Sequence, residues 1–166
     1  MKKRLRNSLK ECYKEEGYQI YSIKNNIVLG VLEGPPDTSY ENGYFLFQML
    51  LPENFPFLPP QFVFITRIFH PNISENGFVS VDILQNQNQW SPAISRFGSI
   101  IYCILSLLNE PNPDDFLNET AAKLYKEDKQ KYDKTVREYT TRFANYSKFM
   151  EDSKNLNIKI EIIKGK

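Results

Sequence analysis

Several side chains whose types and spacing could do chemistry lie between residues 70 and 115. His70 is the only histidine, and Ser80 follows it ten residues later. A serine hydroxyl attacks a carbonyl at neutral pH only when a base activates it, and we find no triad order around His70. A lone serine in a loop is ordinarily a solvated hydroxyl, and Asn72, directly after Pro71, is by itself most typical of a turn. Residue types alone therefore leave the chemistry of this segment open.

The order and spacing of the surrounding motifs is far more specific than any single residue. Three motifs follow one another: His70-Pro71-Asn72 ten residues before Ser80, then Trp90-Ser91-Pro92-Ala93, then Glu110-Pro111-Asn112-Pro113-Asp114-Asp115. With this set the chain resembles the ubiquitin-conjugating enzyme family over about residues 1–145. The family accepts the C-terminus of ubiquitin from an activating enzyme as a thioester and passes it to a substrate lysine or to a ligase.

The resemblance implies that position 80 is where the family has its catalytic cysteine. A thiolate suits the reaction because it is both a good nucleophile and a good leaving group. We interpret Ser80 as an introduced Cys→Ser change, which would stop turnover or trap a stable oxygen ester. The alternative is a natural, inactive family member that acts as a non-catalytic adaptor binding ubiquitin or a partner. Cys12 and Cys103 are poor substitute nucleophiles because each lies on a predicted core stripe.

The same resemblance assigns roles to three further side chains. Asn72 supports the oxyanion of the tetrahedral intermediate, or holds the loop that does so, and losing an oxyanion donor typically costs about 10²–10³ in rate. Asp115 orients the incoming lysine and favours loss of its proton. Asp82, two residues after Ser80, could assist. His70 is structural in the family and is given no chemical role.

Two segments match the loops with which the family holds ligases: Pro56-Phe57-Leu58 and Ser91-Pro92-Ala93. A phenylalanine at the tip of a stiff proline loop is an effective anchor, because little entropy is lost on binding. The basic start of the chain, including Arg4, would complete this surface and also meet the activating enzyme. The expected partners are ubiquitin, the activating enzyme, a ligase and substrate lysines.

Composition points to no other class of partner. The net charge of +1 gives no global argument for nucleic acid or an acidic membrane surface, and no apolar run reaches the roughly 18 residues that a membrane helix needs. We expect no cofactor and no metal. The two cysteines make neither a disulfide framework nor a metal-ligand spacing, which favours a reducing compartment, the cytoplasm or the nucleus.

The sequence also departs from the family pattern in two places. Phe116 stands where the family often has a proline after the paired acids. The link Gln85-Asn86-Gln87-Asn88-Gln89 is longer than in the commonest ubiquitin-handling members and resembles the branch that carries SUMO. The segment Asp82-Ile83-Leu84 and the acidic motif look ubiquitin-like. We therefore favour ubiquitin, with another ubiquitin-like modifier as the alternative.

Hydrophobic periodicity predicts the elements that must position these residues. An apolar stripe predicts a first helix over about residues 2–16, and Gly17 fits its end. Four runs have the composition of strands, with short connections that favour an antiparallel meander: Tyr18–Ile23, Ile27–Leu32, Tyr44–Leu51 and Gln61–Thr66.

A long structured loop and three helices are expected after the strands. The loop runs from Phe69 to about Ile94, a largely apolar helix from Phe97 to Leu108, and a short helix over Asn118–Tyr125 with Asn118 as its N-cap. A last helix carries an apolar stripe from Tyr132 to Met150. This order predicts an α+β fold with segregated elements, as in the family. We place the catalytic core at residues 1–145 and a C-terminal extension at 146–166, in which residues 158–163 alternate like a strand.

Overall fold

The computed structural model of this protein describes residues 17–85 and 89–156, with residues 22–24 as backbone only. The predicted first helix, with Arg4 and Cys12, lies outside the described residues, as does the predicted alternation at residues 158–163. None of the helices in the described ranges is long and apolar enough to cross a membrane.

The centre of the fold is a sheet of four strands that follow one another in space as they do in sequence. The strands are β1 (Tyr18–Lys24), β2 (Ile27–Glu33), β3 (Tyr44–Leu50) and β4 (Gln61–Phe64). Every neighbouring pair is antiparallel, so the predicted meander is confirmed. Asn25 and Asn26 both have positive φ, which is the backbone that a tight two-residue hairpin requires.

The fourth strand ends earlier than the sequence indicated. It stops at Phe64 instead of Thr66, because the backbone N–H groups of Ile65 and Thr66 both point at the carbonyl oxygen of Leu46, at 2.8 and 3.2 Å. Two donors on one acceptor cannot continue a ladder in which each residue has its own partner. The Thr66 hydroxyl then accepts the Leu46 N–H at 2.9 Å and closes the strand end.

Within the described residues, five helices follow the sheet, together with a 3-10 turn at Pro92–Ile94. The helices are α1 (Asp82–Gln85), α2 (Phe97–Asn109), α3 (Glu119–Glu127), α4 (Lys129–Phe143) and α5 (Tyr146–Asn155). The α2 helix is the central one, as predicted, and its buried side chains share one core with the inner face of the sheet: Ile100, Ile101 and Ile104 with Phe45, Phe47, Met49, Phe62 and Phe64. Asn118 caps α3 as expected, by accepting the Ala121 N–H at 3.0 Å.

The prediction of a single last helix was wrong, because the chain breaks between α4 and α5. The carbonyl oxygen of Ala144 accepts the backbone N–H of Tyr44 at 2.7 Å, which ties the break to β3. Asn145 then caps a new helix by accepting the Lys148 N–H at 2.9 Å. As a result α5 packs on the outer face of the sheet, where Phe149 stacks on Tyr44 with ring centroids 5.4 Å apart. The division of the chain at residue 145 stays a prediction.

Candidate active site

The loop before α1 places Ser80 against both the sheet and the preceding motif. Phe78 and Val79, directly before Ser80, form isolated β-bridges with Val63 and Ile73. The Ser80 N–H donates to the Asn72 carbonyl oxygen at 2.8 Å. Gly77 allows this approach, since its φ is +83° and a Cβ there would lie 1.9 Å from the Phe64 carbonyl oxygen. A glycine is therefore required for the loop to lie against β4.

The Ser80 hydroxyl is almost enclosed, with 4% of the residue exposed, and it faces two side-chain acceptors. Its oxygen lies 3.0 Å from Gln85 Oε1 and 3.1 Å from Asp115 Oδ2. A hydroxyl has one proton to donate, so the two acceptors compete for it. The predicted site residues Ser80 and Asp115 are thus brought together across 35 residues of sequence. Both acceptor residues, Gln85 and Asp115, are solvent-exposed.

Asn72 is buried beneath this pair, and its amide is fully used. Its Nδ2 donates to the carbonyl oxygens of Asn112 and Asp115 at 2.7 and 2.6 Å, and its Oδ1 accepts the Asn112 N–H at 2.9 Å. A side-chain amide has only two N–H donors. Of the two roles predicted for Asn72, these contacts favour holding the loop that carries Asp115, because no donor is left over for an oxyanion.

His70 contacts the backbone of Asn72 from the core side of the site. Its Nδ1 accepts the Asn72 backbone N–H at 3.0 Å, so Nε2 carries the proton and donates to the Leu107 carbonyl oxygen at 2.9 Å. Burial lowers the pKa of His70 from 6.5 to about 4, with the Leu107 contact opposing part of the shift. The ring is therefore neutral at physiological pH and both nitrogens are occupied, which leaves it no described contact with Ser80.

The contacts of two residues near Ser80, Asp82 and Gln85, differ from those expected from the sequence. Asp82 is exposed in the first turn of α1 and is not among the described partners of the Ser80 hydroxyl. Gln85 is such a partner, although no motif in the sequence points to it. The N–H groups of Leu84 and Gln85 both donate to the Val81 carbonyl oxygen. These two hydrogen bonds close the single turn of α1, which brings the Gln85 side chain close to Ser80. A four-residue helix within an apolar loop leaves too short a pattern to detect.

The two segments matched to ligase loops lie side by side. Trp90 Nε1 donates to the Pro56 carbonyl oxygen at 2.8 Å, which joins the proline loop to the segment beginning at Ser91. Phe57 projects from this surface with 73% of the residue exposed, and Pro92 and Ala93 are exposed beside Trp90 in sequence. The predicted anchor is thus accessible on the described surface.

Cys103 offers no alternative nucleophile in the described part of the chain. It lies half-buried on α2, and burial raises the pKa of its thiol. A higher thiol pKa means less thiolate at neutral pH. Cys103 is only half-buried and is not among the buried residues of α2, so it lies at the edge of the core and not on the predicted core stripe.

Comparison with known proteins agrees with the fold. A family model described as ubiquitin-conjugating enzyme matches residues 3–140. The chain is also similar to the crystal structure of a Plasmodium yoelii protein assigned as a ubiquitin conjugating enzyme, with 35% sequence identity and a TM-score of 0.78. That match covers 86% of this chain and 94% of the other. Because the family model spans most of the chain and the structural match has the same fold, the chain belongs to the ubiquitin-conjugating enzyme family.

Proposed function

We propose that this chain is a ubiquitin carrier that receives the modifier at residue 80 and delivers it to lysine with a ligase. The observation that carries the proposal is the contact between Ser80 and Asp115, which brings the nucleophile position and an exposed carboxylate within 3.1 Å. With cysteine at position 80, the acceptor amine would attack the thioester carbonyl beside Asp115, and the thiolate would leave. Asp115 would orient the amine and favour loss of its proton.

Serine at position 80 lowers the rate of transfer from the site, whereas the hydrogen bonds that support the site are present. An oxygen ester lacks a good thiolate leaving group, so transfer from Ser80 to an amine is slow. The framework under the site remains complete, because Asn72 makes three hydrogen bonds to the loop of Asn112 and Asp115. This intact support favours a carrier whose nucleophile was replaced.

Ser80→Cys is expected to restore charging. Incubation with activating enzyme, ATP and ubiquitin should give an adduct that reducing agent removes. The chain with Ser80 should give either no adduct or a slow one that survives thiol and yields to hydroxide. A parallel reaction with SUMO and its own activating enzyme distinguishes the two modifiers. A thiol-sensitive adduct on the unmodified chain would move the nucleophile to Cys12 or Cys103, and an uncharged Ser80→Cys variant that is folded would contradict the carrier function.

A non-catalytic adaptor is the second candidate. It is favoured by the enclosure of Ser80, whose hydroxyl is already engaged by Gln85 and Asp115. Such a protein would bind uncharged ubiquitin or a partner conjugating enzyme without acquiring a covalent bond. The encoding gene separates the candidates, because a cysteine codon at position 80 means that the serine was introduced.

Phe57→Ala is expected to weaken ligase-stimulated transfer. An exposed aromatic anchor that fills a pocket of a partner is typically worth about 2 kcal/mol or more, so stimulation at limiting ligase should fall roughly thirtyfold. Because Phe57 is exposed, its removal should leave the melting temperature nearly unchanged. The measurement is discharge of charged Ser80→Cys protein with increasing ligase.

Glu53→Ala is the matched control for the ligase surface, since Glu53 is also exposed in the proline loop. It should leave ligase stimulation near the parent value, and both variants should charge normally. If Phe57→Ala and Glu53→Ala have equal effects, Phe57 is not the anchor.

A further inference from the structure

We propose that a cleft between the β2–β3 connection and helices α3 and α4 binds a basic side chain of the substrate, about four residues from the lysine that is modified. We call it the α3–α4 cleft. The inference rests on the proposed function and deepens it, since it names a class of substrate: a protein segment that carries an arginine or a lysine near its acceptor lysine. The cleft is distinct from the contacts of Ser80, Asn72 and Asp115 described above.

The α3–α4 cleft is large enough to take a side chain. Its volume is about 380 Å³, at the lower end of the range for sites that bind small ligands. Residues 37–41 of the β2–β3 connection line it, together with Leu108, Asn109 and Pro111 from the end of α2 and with side chains of α3 and α4. Three separate segments of the chain therefore meet around one concave space.

Two aromatic rings of the cleft already hold an ammonium group. The rings of Tyr125 and Tyr132 are perpendicular, with centroids 5.1 Å apart, and Lys129 Nζ lies 5.3 and 5.2 Å from the two centroids. A cation within about 6 Å of an aromatic ring is attracted by the ring quadrupole. Asp133 completes the arrangement by forming an ion pair with Lys129. The cleft thus has the groups that bind a cation, and a lysine of the chain itself occupies them.

The Lys129 ammonium is an occupant that another cation can replace. Its side chain is 54% exposed, and an ion pair of this exposure contributes little because water and salt screen it. When Lys129 turns outward to solvent, Asp133 and the two rings become available to a basic side chain of a bound substrate. Removal of Lys129 is therefore expected to strengthen the site.

The hydrogen-bond capacity that Tyr132 and Asp133 still offer is for accepting. Tyr40 donates its hydroxyl proton to the Phe69 carbonyl oxygen at 2.8 Å, so Tyr132 is the donor in the 2.9 Å contact between the two hydroxyls. Asp133 Oδ1 accepts the Ser39 hydroxyl at 3.1 Å. Within the described residues no hydrogen-bond donor reaches the Tyr132 oxygen or Asp133 Oδ2. These free acceptors require a ligand with N–H groups, such as an ammonium or a guanidinium.

The charges of the cleft favour the same class of ligand. Its lining carries three carboxylates, on Asp37, Glu41 and Asp133, and two cations, on Lys129 and Arg137. Asp37 and Glu41 are exposed and form no ion pair with any described residue. An anionic ligand would be repelled by these two carboxylates, whereas a cation is attracted by them. The electrostatics thus favour a basic segment over an acidic one.

The cleft is close enough to position 80 for one peptide to reach both. Pro111 lines the cleft, and Asp115, which contacts Ser80, follows four residues later. Four residues span at most about 14 Å. Between them, Asn112 is held in place by three-way contact with the Asn72 amide and backbone groups. An extended substrate therefore needs about four residues to put its lysine beside Asp115 and a basic side chain in the cleft.

The test is single-turnover discharge of charged Ser80→Cys protein to short peptides that hold one acceptor lysine and have a blocked N-terminus. One peptide has arginine four residues before the lysine, and another has it four residues after. Reference peptides have alanine or glutamate at these positions, or arginine directly next to the lysine. We expect one of the two spaced arginine peptides to accept ubiquitin about tenfold faster than its alanine counterpart, a factor within the range for a partly desolvated cation–aromatic contact. Adjacent arginine should give a much smaller gain, because it does not reach the cleft.

Three variants connect this preference with the cleft. Asp133→Asn keeps the shape of the side chain but removes its charge, and should abolish most of the preference. Lys129→Ala removes the competing ammonium and should raise the preference by up to about fivefold, since exposed ion pairs are weak. Glu138→Gln is the matched control and should keep the parent preference, because Glu138 is an exposed acid of α4 that does not line the cleft. Each peptide rate is divided by the rate of discharge to free lysine for the same variant, and thermal melts confirm folding.

Binding is measured separately from chemistry, by fluorescence anisotropy of the labelled peptides with the Ser80 chain and its Asp133→Asn variant. Equal discharge to the arginine and alanine peptides, faster discharge to the glutamate peptide, or a preference that Asp133→Asn leaves intact would overturn the role of the cleft, while discharge to free lysine upholds the carrier function. If the Ser80→Cys protein does not charge, the carrier function falls. Tighter binding of the spaced arginine peptide to the Ser80 chain than to Asp133→Asn would then still support the cleft as a cation site, and equal binding would overturn it.

Discussion

Asn72→Ala in the Ser80→Cys protein is expected to slow discharge of ubiquitin to free lysine by up to about 10²–10³, the range known for losing oxyanion stabilisation. The contacts favour an indirect route to this loss, because both N–H groups of the Asn72 amide are engaged by carbonyl oxygens. Asn72 makes three hydrogen bonds to the loop of Asn112 and Asp115, and alanine makes none of them. The carboxylate that orients the amine would then no longer be held beside residue 80. Charging should fall by much less, because a thiol needs no positioned carboxylate to become a nucleophile.

The measurement is single-turnover discharge of preformed thioester to free lysine. A double-mutant cycle with Asp115→Ala separates the two predicted roles of Asn72. If Asn72 acts by holding Asp115, the double variant should be no slower than the slower single variant. If it acts directly on the oxyanion, the two losses should multiply.

Asn118→Ala is the matched control for Asn72→Ala. Asn118 is also an asparagine next to this junction, and its side chain caps α3 by accepting the Ala121 N–H. Its loss should cost about 1 kcal/mol of stability and should leave discharge unchanged. An unaltered discharge rate in folded Asn72→Ala would leave that residue with a purely structural role.

The second large effect is a loss of stability in mild acid caused by His70. Its pKa is lowered from 6.5 to about 4 in the folded protein, so only the unfolded chain binds the proton between these two values. A group with a lowered folded pKa stabilises the fold fully above its unfolded pKa. The free energy of unfolding should therefore fall by about 1.4 kcal/mol per pH unit from pH 6.5 toward pH 4, or about 3 kcal/mol in all, because of this residue alone.

Urea unfolding across this pH range tests the prediction, and NMR of the single imidazole provides the folded pKa directly. Carboxylates also titrate toward the lower end of the range, so the comparison that matters is the difference in slope between the parent and His70→Gln. The variant should be less stable at neutral pH, yet its stability should depend less steeply on pH. An imidazole that titrates near 6.5 in the folded protein would contradict the proposed cause.

Local signals in the sequence determined much of the fold. Alternating and aromatic runs predicted all four strands, and Asn25-Asn26 marked the turn between the first two. Asn118 marked the start of α3 through its short side chain, which reaches a backbone N–H three residues on. The order and spacing of the motifs around Ser80 also indicated the family. The strand, turn and cap signals act between residues close in sequence, where backbone preference and hydrophobic period are sufficient, whereas the family was indicated by resemblance.

Element ends and breaks were decided by contacts between distant residues. The stripe from Tyr132 to Met150 continues through the break at Ala144, and only the hydrogen bond from Tyr44 shows why the helix ends there. β4 ends where two N–H groups meet the Leu46 carbonyl oxygen. Periodicity carries no information about such partners, because it describes one segment at a time.

The same distinction between local sequence and tertiary contacts applies to the site around position 80. The sequence by itself, through its resemblance to the family, predicted that a serine stands at the nucleophile position, that Asn72 and Asp115 belong to the site, and that Phe57 is an anchor candidate. Only the tertiary structure decided that the Asn72 amide is fully occupied, that His70 faces the core, and that Gln85 and Asp115 compete for one hydroxyl proton. Hydrogen bonds depend on atomic distance and direction, and the packing of the whole fold sets those for residues 35 to 43 positions apart.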